Sequence, residues 1–402
     1  MTGHRCSQVA PALKSRLETE IYPYLSESPF IEALKGFPVE VNGDMCWDGR
    51  TDMLDYLIKL GPKDITDIEI ALGKFKELGL GPNMLEPATF PLSTELGHRL
   101  RTVSHNLHKG LGFAVLRGLD PGKYSDEDNL IIYAGIVSWI GIERVTNPLG
   151  MSAGEYSMPS ARFINLTLSS EHIRNALLDG KPADVAESDL EPAKQPHKMN
   201  FHADRFMADI LALYVREKAA SGGEQYVASF QSIYRELLEN DPEVLAILAK
   251  EWDWPAPPEN PHAEPVRGPV LFSNGEQVIA QLVWAPFVKH PAYMTPERER
   301  ALTAVNNLAK KMCIKVHSEA GDIQLFNNLA MVHARDGFVD SATQRRHLVR
   351  LGVRDPEHQW TRPTGFEAQF ETAYLVPLSE QVMPVVDFDP WNATSTAAAH
   401  HG

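Results

Sequence analysis

The sequence predicts an α+β fold with a double-stranded β-helix (jelly-roll) core, surrounding helices and a helical N-terminal extension. Helical periodicity dominates the first 110 residues. The later residues contain short apolar runs, bounded by turn residues, with helical stretches between them. This combination fits a jelly roll wrapped in helices. We expect an extension over 1–110 and one continuous core over 111–402.

Capping residues, glycines and apolar spacing indicate where the elements begin and end. Ser93 and Ser125 precede helical patterns and can cap the first turn of each helix. A short apolar run after Gly112 is bounded by glycines, as is typical of a buried strand. We expect helices over 64–78, 94–109, 126–141, 229–250 and 296–311, and strands over 112–119, 209–216, 270–273, 277–283, 321–326 and 346–354.

Composition narrows the functional classes. The formal net charge of −15 argues against a nucleic-acid partner, because nucleic-acid-binding proteins carry a basic excess or patch. The three cysteines are far apart and form no CxxC pair, which excludes a cysteine-rich metal site and fits a reducing compartment. We find no apolar run long enough for a signal peptide or a membrane span. We therefore expect a cytoplasmic protein without a membrane partner.

Two distant segments contain candidate metal ligands. His202 and Asp204 lie two residues apart at the start of a strand region, so period-two geometry directs both side chains to one face. His333 can approach them from another strand or loop. Two histidines and one carboxylate form the ligand set of non-haem Fe(II) oxygenases, which leaves the opposite metal positions open.

The His-x-carboxylate spacing is weak evidence by itself. With 15 histidines and 53 acidic residues, roughly two such triplets are expected by chance. Two others begin at His262, in a proline-rich loop, and at His317, before a turn. We expect both of these to be solvated. An ordinary loop histidine is the alternative reading of His202, and the surrounding segments disfavour it.

The strand over 346–354 is a candidate anion site. Arg346 and Arg350 lie four residues apart, so they share one face of this strand, among apolar residues. A buried guanidinium needs an anionic partner, and the carboxylate of a cosubstrate or substrate can bind it in bidentate fashion. The alternative is a pair of internal salt bridges.

The ordered set of segments resembles the TauD/TfdA-like branch of the Fe(II)/2-oxoglutarate dioxygenases, particularly its filamentous-fungal members. The resemblance is specific for the superfamily and says much less about the substrate. It extends over about 47–363 and includes the strand over 112–119, the His202-Ala-Asp204 triplet, the Gly222-Gly223 turn, His333-Ala-Arg335 and the strand over 346–354.

The resemblance implies a role for each matching residue. His202, Asp204 and His333 correspond to the iron ligands. Arg346 matches the arginine that binds the side-chain carboxylate of 2-oxoglutarate, and Arg350 matches one that often binds an anionic group of the substrate.

One position departs from the family pattern. After the Gly-Gly-acidic turn, the family commonly has Thr or Ser, which assists the cosubstrate carboxylate. This chain has Gln225 there. Its amide can still donate a hydrogen bond, but from a longer side chain.

The resemblance also implies the reaction class. Fe(II), 2-oxoglutarate and O2 would together oxidise a C–H bond of a small, anionic substrate, such as an amino acid or organic acid, with release of succinate and CO2. Hydroxylation is one outcome, and desaturation or oxidative cyclisation in secondary metabolism is another. A homodimer is frequent among family members.

Four residues are candidates for the substrate pocket: Asn165, Trp284, Phe287 and Arg335. The two aromatic residues have a simpler alternative as core residues, and the two polar ones as surface residues. We expect Asn328 to brace the loop that carries His333 rather than to contact substrate.

Three further alternatives remain open from the sequence. The polar segment over 179–197 is either a lid or binding loop, or a solvated surface insertion. A metal-dependent hydrolase or isomerase would need a general base and would leave Arg346 and Arg350 unexplained. A non-catalytic ligand-binding relative is disfavoured by the intact set of candidate ligands.

Overall fold

The protein is described by a computed structural model that covers residues 33–387, apart from 53, 147–150, 153–164, 169, 182, 184 and 256–265, together with residue 391. For 151–152, 165–168, 189 and 266 it describes the backbone alone. The predicted α+β class is confirmed, because helices and antiparallel sheets alternate along the described ranges.

The described strands are short and follow one another from Leu57 to Val382. They are β1 (Leu57–Lys59), β2 (Phe113–Arg117), β3 (Glu143–Arg144), β4 (Met151–Ser152), β5 (Asn165–Leu168), β6 (Glu171–Arg174), β7 (Met199–His202), β8 (Ile210–Glu217), β9 (Ser221–Gly222), β10 (Gln225–Ser229), β11 (Trp252–Trp254), β12 (Val266–Gly268), β13 (Leu271–Ser273), β14 (Val278–Ala280), β15 (Ile314–Val316), β16 (Ile323–Asn327), β17 (Met331–Arg335), β18 (Phe338–Val339), β19 (His347–Arg354) and β20 (Gln381–Val382).

The helices occur in two sets, before β3 and after β10. They are α1 (Pro62–Glu77), α2 (Thr94–Lys109), α3 (Asp126–Ser138), α4 (Phe230–Asn240), α5 (Pro242–Ala249), α6 (Ala285–Lys289), α7 (Pro296–Met312) and α8 (Glu367–Glu371). Within the described ranges, no helix combines the length and the apolar character that crossing a membrane requires.

Two sheets form the centre of the fold. The larger has the order β1-β2-β16-β8-β19-β3, and β6 also pairs with β19. Its pairs are antiparallel except for β1, which lies parallel to β2. The smaller sheet has the order β15-β10-β17-β7 and is antiparallel throughout. Residues of the predicted N-terminal extension thus supply one strand of the larger sheet.

Alternation of side chains along the strands builds four layers. In β8, Leu211 and Leu213 join an apolar cluster that also contains Val227 of β10 and Met331 of β17, so this cluster lies between the two sheets. The neighbouring Ala212 points the other way, into a cluster formed with helices α1, α2 and α3.

The smaller sheet is covered in the same way. Its outward-facing Ala228 and Val332 pack in a third cluster with Ile233 of α4 and Leu302 of α7. The layers are therefore helices, larger sheet, smaller sheet and helices. This arrangement buries both faces of both sheets and leaves the end of the inter-sheet space as a place for a polar pocket.

The local boundaries largely follow the sequence-based prediction. The hydroxyl of Ser93 accepts a hydrogen bond from Leu96 N, and that of Ser125 accepts one from Asp128 N, so both predicted caps are confirmed. The single helix predicted over 229–250 is wrong. It is two helices, α4 and α5, because Pro242 lacks an N–H and its ring disfavours a continuous helix.

The segment over 179–197 differs between its two halves. Gly180 and the residues over 186–188 are exposed, whereas Leu190, Glu191 and Lys194 are almost completely buried. Short 3-10 turns occur over Glu187–Asp189 and Pro192–Lys194. A fully solvated insertion is therefore wrong for the residues over 190–194, which pack into the protein interior.

Replacement of Leu325 by alanine tests the helix-covered face of the larger sheet. Leu325 lies on β16 and is fully buried against the helical layer. We expect Leu325→Ala to lower the free energy of unfolding by about 2–5 kcal/mol, since it leaves a cavity. Equilibrium urea unfolding measures this change.

Val288→Ala is the matched control, because that side chain is 71% exposed and should change stability by less than about 0.5 kcal/mol. Equal urea midpoints for the two variants would contradict this account of the layers.

Candidate metal and cosubstrate site

Antiparallel pairing of two strands brings the predicted ligands together. His202, the last residue of β7, lies directly opposite His333 of β17, and their ring centroids are 4.2 Å apart. Asp204 lies just beyond the end of β7, with Oδ1 3.9 Å from His202 Nε2. One potential ligand atom of each of the three residues lies within 4.8 Å of the others.

Hydrogen bonding prepares His202 to act as a ligand. Its Nδ1 lies 2.7 Å from the carbonyl oxygen of Asn200. Because a carbonyl oxygen can only accept, this contact requires the proton on Nδ1 and leaves a lone pair on Nε2. The ring of His333 is oriented by stacking against Phe326, at a centroid distance of 5.9 Å and an interplanar angle of 20°.

The amide of Asn328 holds the turn that carries Asp204. Its Oδ1 accepts from Asp204 N at 2.9 Å, and its Nδ2 donates to Asp204 O at 2.7 Å and Ala208 O at 2.9 Å. Asn328 follows β16 directly and precedes β17. It therefore links the Asp204 turn to the hairpin that carries His333, in the bracing role that we predicted.

The three candidate ligands line a pocket between the two sheets. The pocket is partly open to solvent. Its other lining residues are mostly apolar, with three arginines and one glutamine among them: Ile173, Ala193, Met199, Leu211, Leu213, Gln225, Tyr226, Phe326, Ala334, Arg335, Arg346, Leu348 and Arg350.

Arg346 presents an uncompensated guanidinium to this pocket. Its backbone N donates to Asp340 Oδ1 at 2.8 Å, and its guanidinium lies 5.3 Å from the ring centroid of Phe338. Nη1 is buried and has no hydrogen-bond partner among the described residues. Burial lowers the pKa of Arg346 to about 10, against the opposing effect of Asp340. A carboxylate in the pocket would satisfy this group.

A tight glycine turn supports the wall below Arg346. Gly222 has φ +73°, and a Cβ there would lie 2.3 Å from Gly337 O. Only glycine allows β9 to approach β18 this closely. Strand β18 in turn carries Phe338, whose ring faces Arg346.

Gln225 also reaches the pocket, through the first residue of β10. Its Oε1 accepts from Ser318 Oγ at 3.0 Å, and Gln324 Nε2 donates to the same hydroxyl at 2.6 Å. No described residue accepts from Gln225 Nε2. The amide is therefore oriented with its donor available to a ligand.

Arg350 lines the pocket but is already paired with carboxylates. Its Nη2 contacts Glu171 and donates to Glu191 Oε1 at 2.9 Å. Burial opposes the charged form, yet Glu171, Glu191 and Asp204 raise the pKa of Arg350 above its ordinary value. The alternative of internal salt bridges is thus correct for Arg350 and does not hold for Arg346.

Two of the predicted pocket residues lie elsewhere, which corrects the prediction. Trp284 Nε1 donates to Phe201 O at 3.1 Å. Phe287 is buried, with its ring centroid 4.9 Å from that of Trp254. Both belong to the apolar cluster outside the smaller sheet, so they are core aromatic residues.

Arg335 lines the pocket in a different capacity from the one predicted. Its guanidinium donates to the carbonyl oxygens of Ala193, Gln195 and His197, at 2.6 to 3.0 Å. It therefore fastens the segment over 193–197 to β17. The side chain of Asn165 lies outside the described residues.

The structure describes one of the two competing triplets. His317 is exposed, as predicted, and the triplet that begins at His262 lies outside the described residues. Glu171 and Glu191, which pair with Arg350, were not predicted. Their segments have weak periodicity, and no local pattern marks a glutamate that will meet an arginine of a distant strand.

Comparison with known proteins assigns the family. A family model described as "Taurine catabolism dioxygenase TauD, TfdA family" matches residues 75–351. The matched range contains the three candidate ligands together with Arg346 and Arg350. The chain belongs to this family.

Two curated relatives of this TauD/TfdA-family chain are informative. The "Taurine hydroxylase-like protein SAT17" of Stachybotrys chartarum is 33% identical over 355 residues, which cover 85% of this chain and 87% of that protein. The "FR-33289 synthase" of Streptomyces rubellomurinus is 29% identical over 166 residues, 38% of this chain and 48% of that protein.

Solved structures share the fold of the family member described here. Asparagine oxygenase (AsnO) is 16% identical with a TM-score of 0.54, covering 82% of this chain and 99% of its own. The non-haem iron oxygenase OrfP in complex with Fe is 14% identical with a TM-score of 0.50, covering 80% and 99%. At these identities the likeness establishes the fold.

Removal of the Asn328 amide tests the support of the candidate ligands. Asn328→Ala leaves all three ligands in place but releases the Asp204 turn, so we expect Fe(II) affinity to fall about 10- to 100-fold. Anaerobic Fe(II) titration of the apo-protein measures this affinity. Asn240→Ala, at the exposed end of α4, is the control and should bind Fe(II) normally. An unchanged affinity in Asn328→Ala would contradict the bracing role.

Proposed function

We propose that the protein is an Fe(II)- and 2-oxoglutarate-dependent oxygenase that activates a C–H bond of a small substrate of the amino-acid or organic-acid class. The observation that carries this proposal is the convergence of His202, Asp204 and His333 in one pocket with Arg346. Membership of a dioxygenase family supports it.

The donor set fits a non-haem Fe(II) centre. Two imidazole nitrogens and one carboxylate oxygen would occupy one face of the metal. Bound Fe(II) with 2-oxoglutarate and O2 would supply the oxidising chemistry, with succinate and CO2 as coproducts. The residues of the chain hold the ligands in register, orient the substrate and keep water from the reacting atoms.

The pocket offers separate donors for the cosubstrate. Arg346, with its unpartnered Nη1, would bind the side-chain carboxylate of 2-oxoglutarate. Gln225 Nε2 would donate to a carboxylate oxygen from the opposite sheet. A longer amide can thus fill the role that Thr or Ser commonly fills in the family.

The solved relatives support an amino-acid type of substrate. Asparagine oxygenase has been solved with Fe(II), 3-hydroxyasparagine and succinate, and OrfP has been solved with Fe, succinate and 3-hydroxyarginine. We infer a similar substrate class here, with hydroxylation or desaturation/cyclisation as the outcome. We also infer that the two facing sheets correspond to the double-stranded β-helix.

The pocket favours an oxygenase over a metal-dependent hydrolase. A hydrolase needs a general base to activate the metal-bound water. Asp204 is the only carboxylate among the described residues that line the pocket, and the proposed metal already uses it. A hydrolase would also leave Arg346 without a role.

Loss of either the first histidine or the carboxylate should abolish metal binding and turnover. We expect His202→Ala and Asp204→Ala to lose Fe(II) and to release no succinate. Anaerobic titration with Fe(II) and 2-oxoglutarate, followed by the visible metal-to-ligand charge-transfer band, tests binding. His317→Ala alters an exposed histidine and should retain the band. Full turnover in either ligand variant would end the proposal.

Replacement of Arg346 should weaken the binding of 2-oxoglutarate and leave the binding of the metal unchanged. We expect Arg346→Gln to bind Fe(II) normally but to raise the KM for 2-oxoglutarate about 100-fold or more, since a charge-assisted bidentate bond is lost. Steady-state succinate release and the charge-transfer band report the two properties. The adjacent, half-buried Arg345 is the control. An unchanged KM in Arg346→Gln would refute this assignment.

A further inference from the structure

A buried cluster of charged residues lies behind Arg350 at the wall of the pocket. Glu171 and Glu191 contact Arg350 Nη2, and Lys194 Nζ lies 3.6 Å from Glu171 Oε1 and 3.8 Å from Asp387 Oδ1. The side chains of Glu191, Lys194 and Arg350 are almost completely buried. Charges in such a place interact strongly with one another and with any ligand charge.

Strand pairing and one buried turn position the two glutamates. Glu171 of β6 lies opposite Arg350 of β19 in the antiparallel register. Glu171 shares a face of its strand with Ile173, which lines the pocket. Glu191 precedes Ala193, which also lines the pocket and whose carbonyl oxygen is bound by Arg335. The acid pair therefore lies directly behind the pocket wall, against Arg350.

The described residues of the cluster carry no excess of positive charge. Arg350 and Lys194 supply two positive charges, and three carboxyl groups face them. Burial and the neighbouring Glu191 raise the pKa of Glu171, against the opposing effect of Arg350. With a proton on Glu171 the cluster is neutral, and without it the cluster is negative.

Arg346 differs from Arg350 in its pairing with carboxylates. No described carboxylate pairs with the Arg346 guanidinium, and its Nη1 is unpartnered. It can therefore take a full anion. Both hydrogen bonds of Arg350 involve Nη2, so its other guanidinium nitrogens can still donate to an acid group of a ligand. A simple anion bound there would, however, add uncompensated negative charge to a buried cluster.

We propose that Glu171 and Glu191 determine the charge specificity of the substrate site at Arg350. They select a zwitterion, whose carboxylate or sulfonate meets Arg350 and whose ammonium group offsets the acid pair, over a simple anion of the same shape. This inference rests on the proposed function, and it narrows the substrate class to amino acids and aminosulfonates.

The first test uses the wild-type protein, loaded anaerobically with Fe(II) and 2-oxoglutarate. The probes are the proteinogenic L-amino acids and taurine, each paired with the acid that lacks its amino group. Binding is followed by the change in the charge-transfer band. We expect each bound amino acid to bind at least ~10-fold more tightly than its partner, a difference of about 1.4 kcal/mol.

The second test uses the double variant Glu171→Gln/Glu191→Gln. The double change removes both carboxylates that face Arg350, whereas either single change leaves one of them in place. We expect the preference for the amino acid to fall to a ratio of about 1 or to reverse, while the charge-transfer band with 2-oxoglutarate persists.

A matched control lies on the same strand. Arg354 of β19 is also paired with two glutamates, Glu143 and Glu371, but it does not line the pocket. Glu371→Gln removes one of these carboxylates and should leave the selectivity unchanged. A general electrostatic effect would instead alter both variants.

The outcomes separate this inference from the proposed function. If no charge-transfer band forms in the wild type, the proposed function fails. If the band forms, the inference is overturned by equal binding of amino acid and des-amino acid, by the absence of any bound amino acid, or by a double variant that keeps the wild-type ratio. If the double variant does not fold, the wild-type panel and Glu171→Gln decide, with the ratio in that single variant expected to fall less.

Discussion

The pairing of β7 with β17 is the constraint on which the site depends. It places His202 opposite His333, and the Asn328 amide then fixes Asp204 against the same hairpin. A shift of one residue in this register would turn His333 toward the outer helices and turn its neighbour Val332 toward the pocket. The helical layer that buries Val332 therefore also stabilises the position of this candidate metal ligand.

The alternation along β19 links the pocket to the core of the protein. Val349 and Leu351 face the helical layer, while Arg346 and Arg350 face the space between the sheets. Buried guanidinium groups are unstable without partners. The described residues supply main-chain carbonyl oxygens to Arg335 and carboxylates to Arg350, and they supply neither to the Arg346 guanidinium. That difference distinguishes Arg346, which can accept a fully charged anion, from Arg335 and Arg350.

Short sequence patterns predicted those features of the structure that involve residues close together along the chain. The caps at Ser93 and Ser125 and the paired ligands His202 and Asp204 involve residues two or three apart. The break at Pro242 also had a local signal, which the regular apolar spacing of the surrounding helix obscured. Membership of the family follows from the order of several such segments along the chain, which random spacing does not reproduce.

The remaining features depend on long-range contacts that no local pattern encodes. Arg346 and Arg350 look equivalent in sequence, four residues apart on one strand. Their difference arises because Glu191, 159 residues before Arg350, reaches that arginine and leaves the other alone. The charge around Arg350 can thus change through residues of the 171–191 region while His202, Asp204, His333 and Arg346 stay the same, and on the proposed function such a change would alter the preference for substrate charge. This separation explains why a family motif identifies the chemistry of such a chain well before it identifies the substrate.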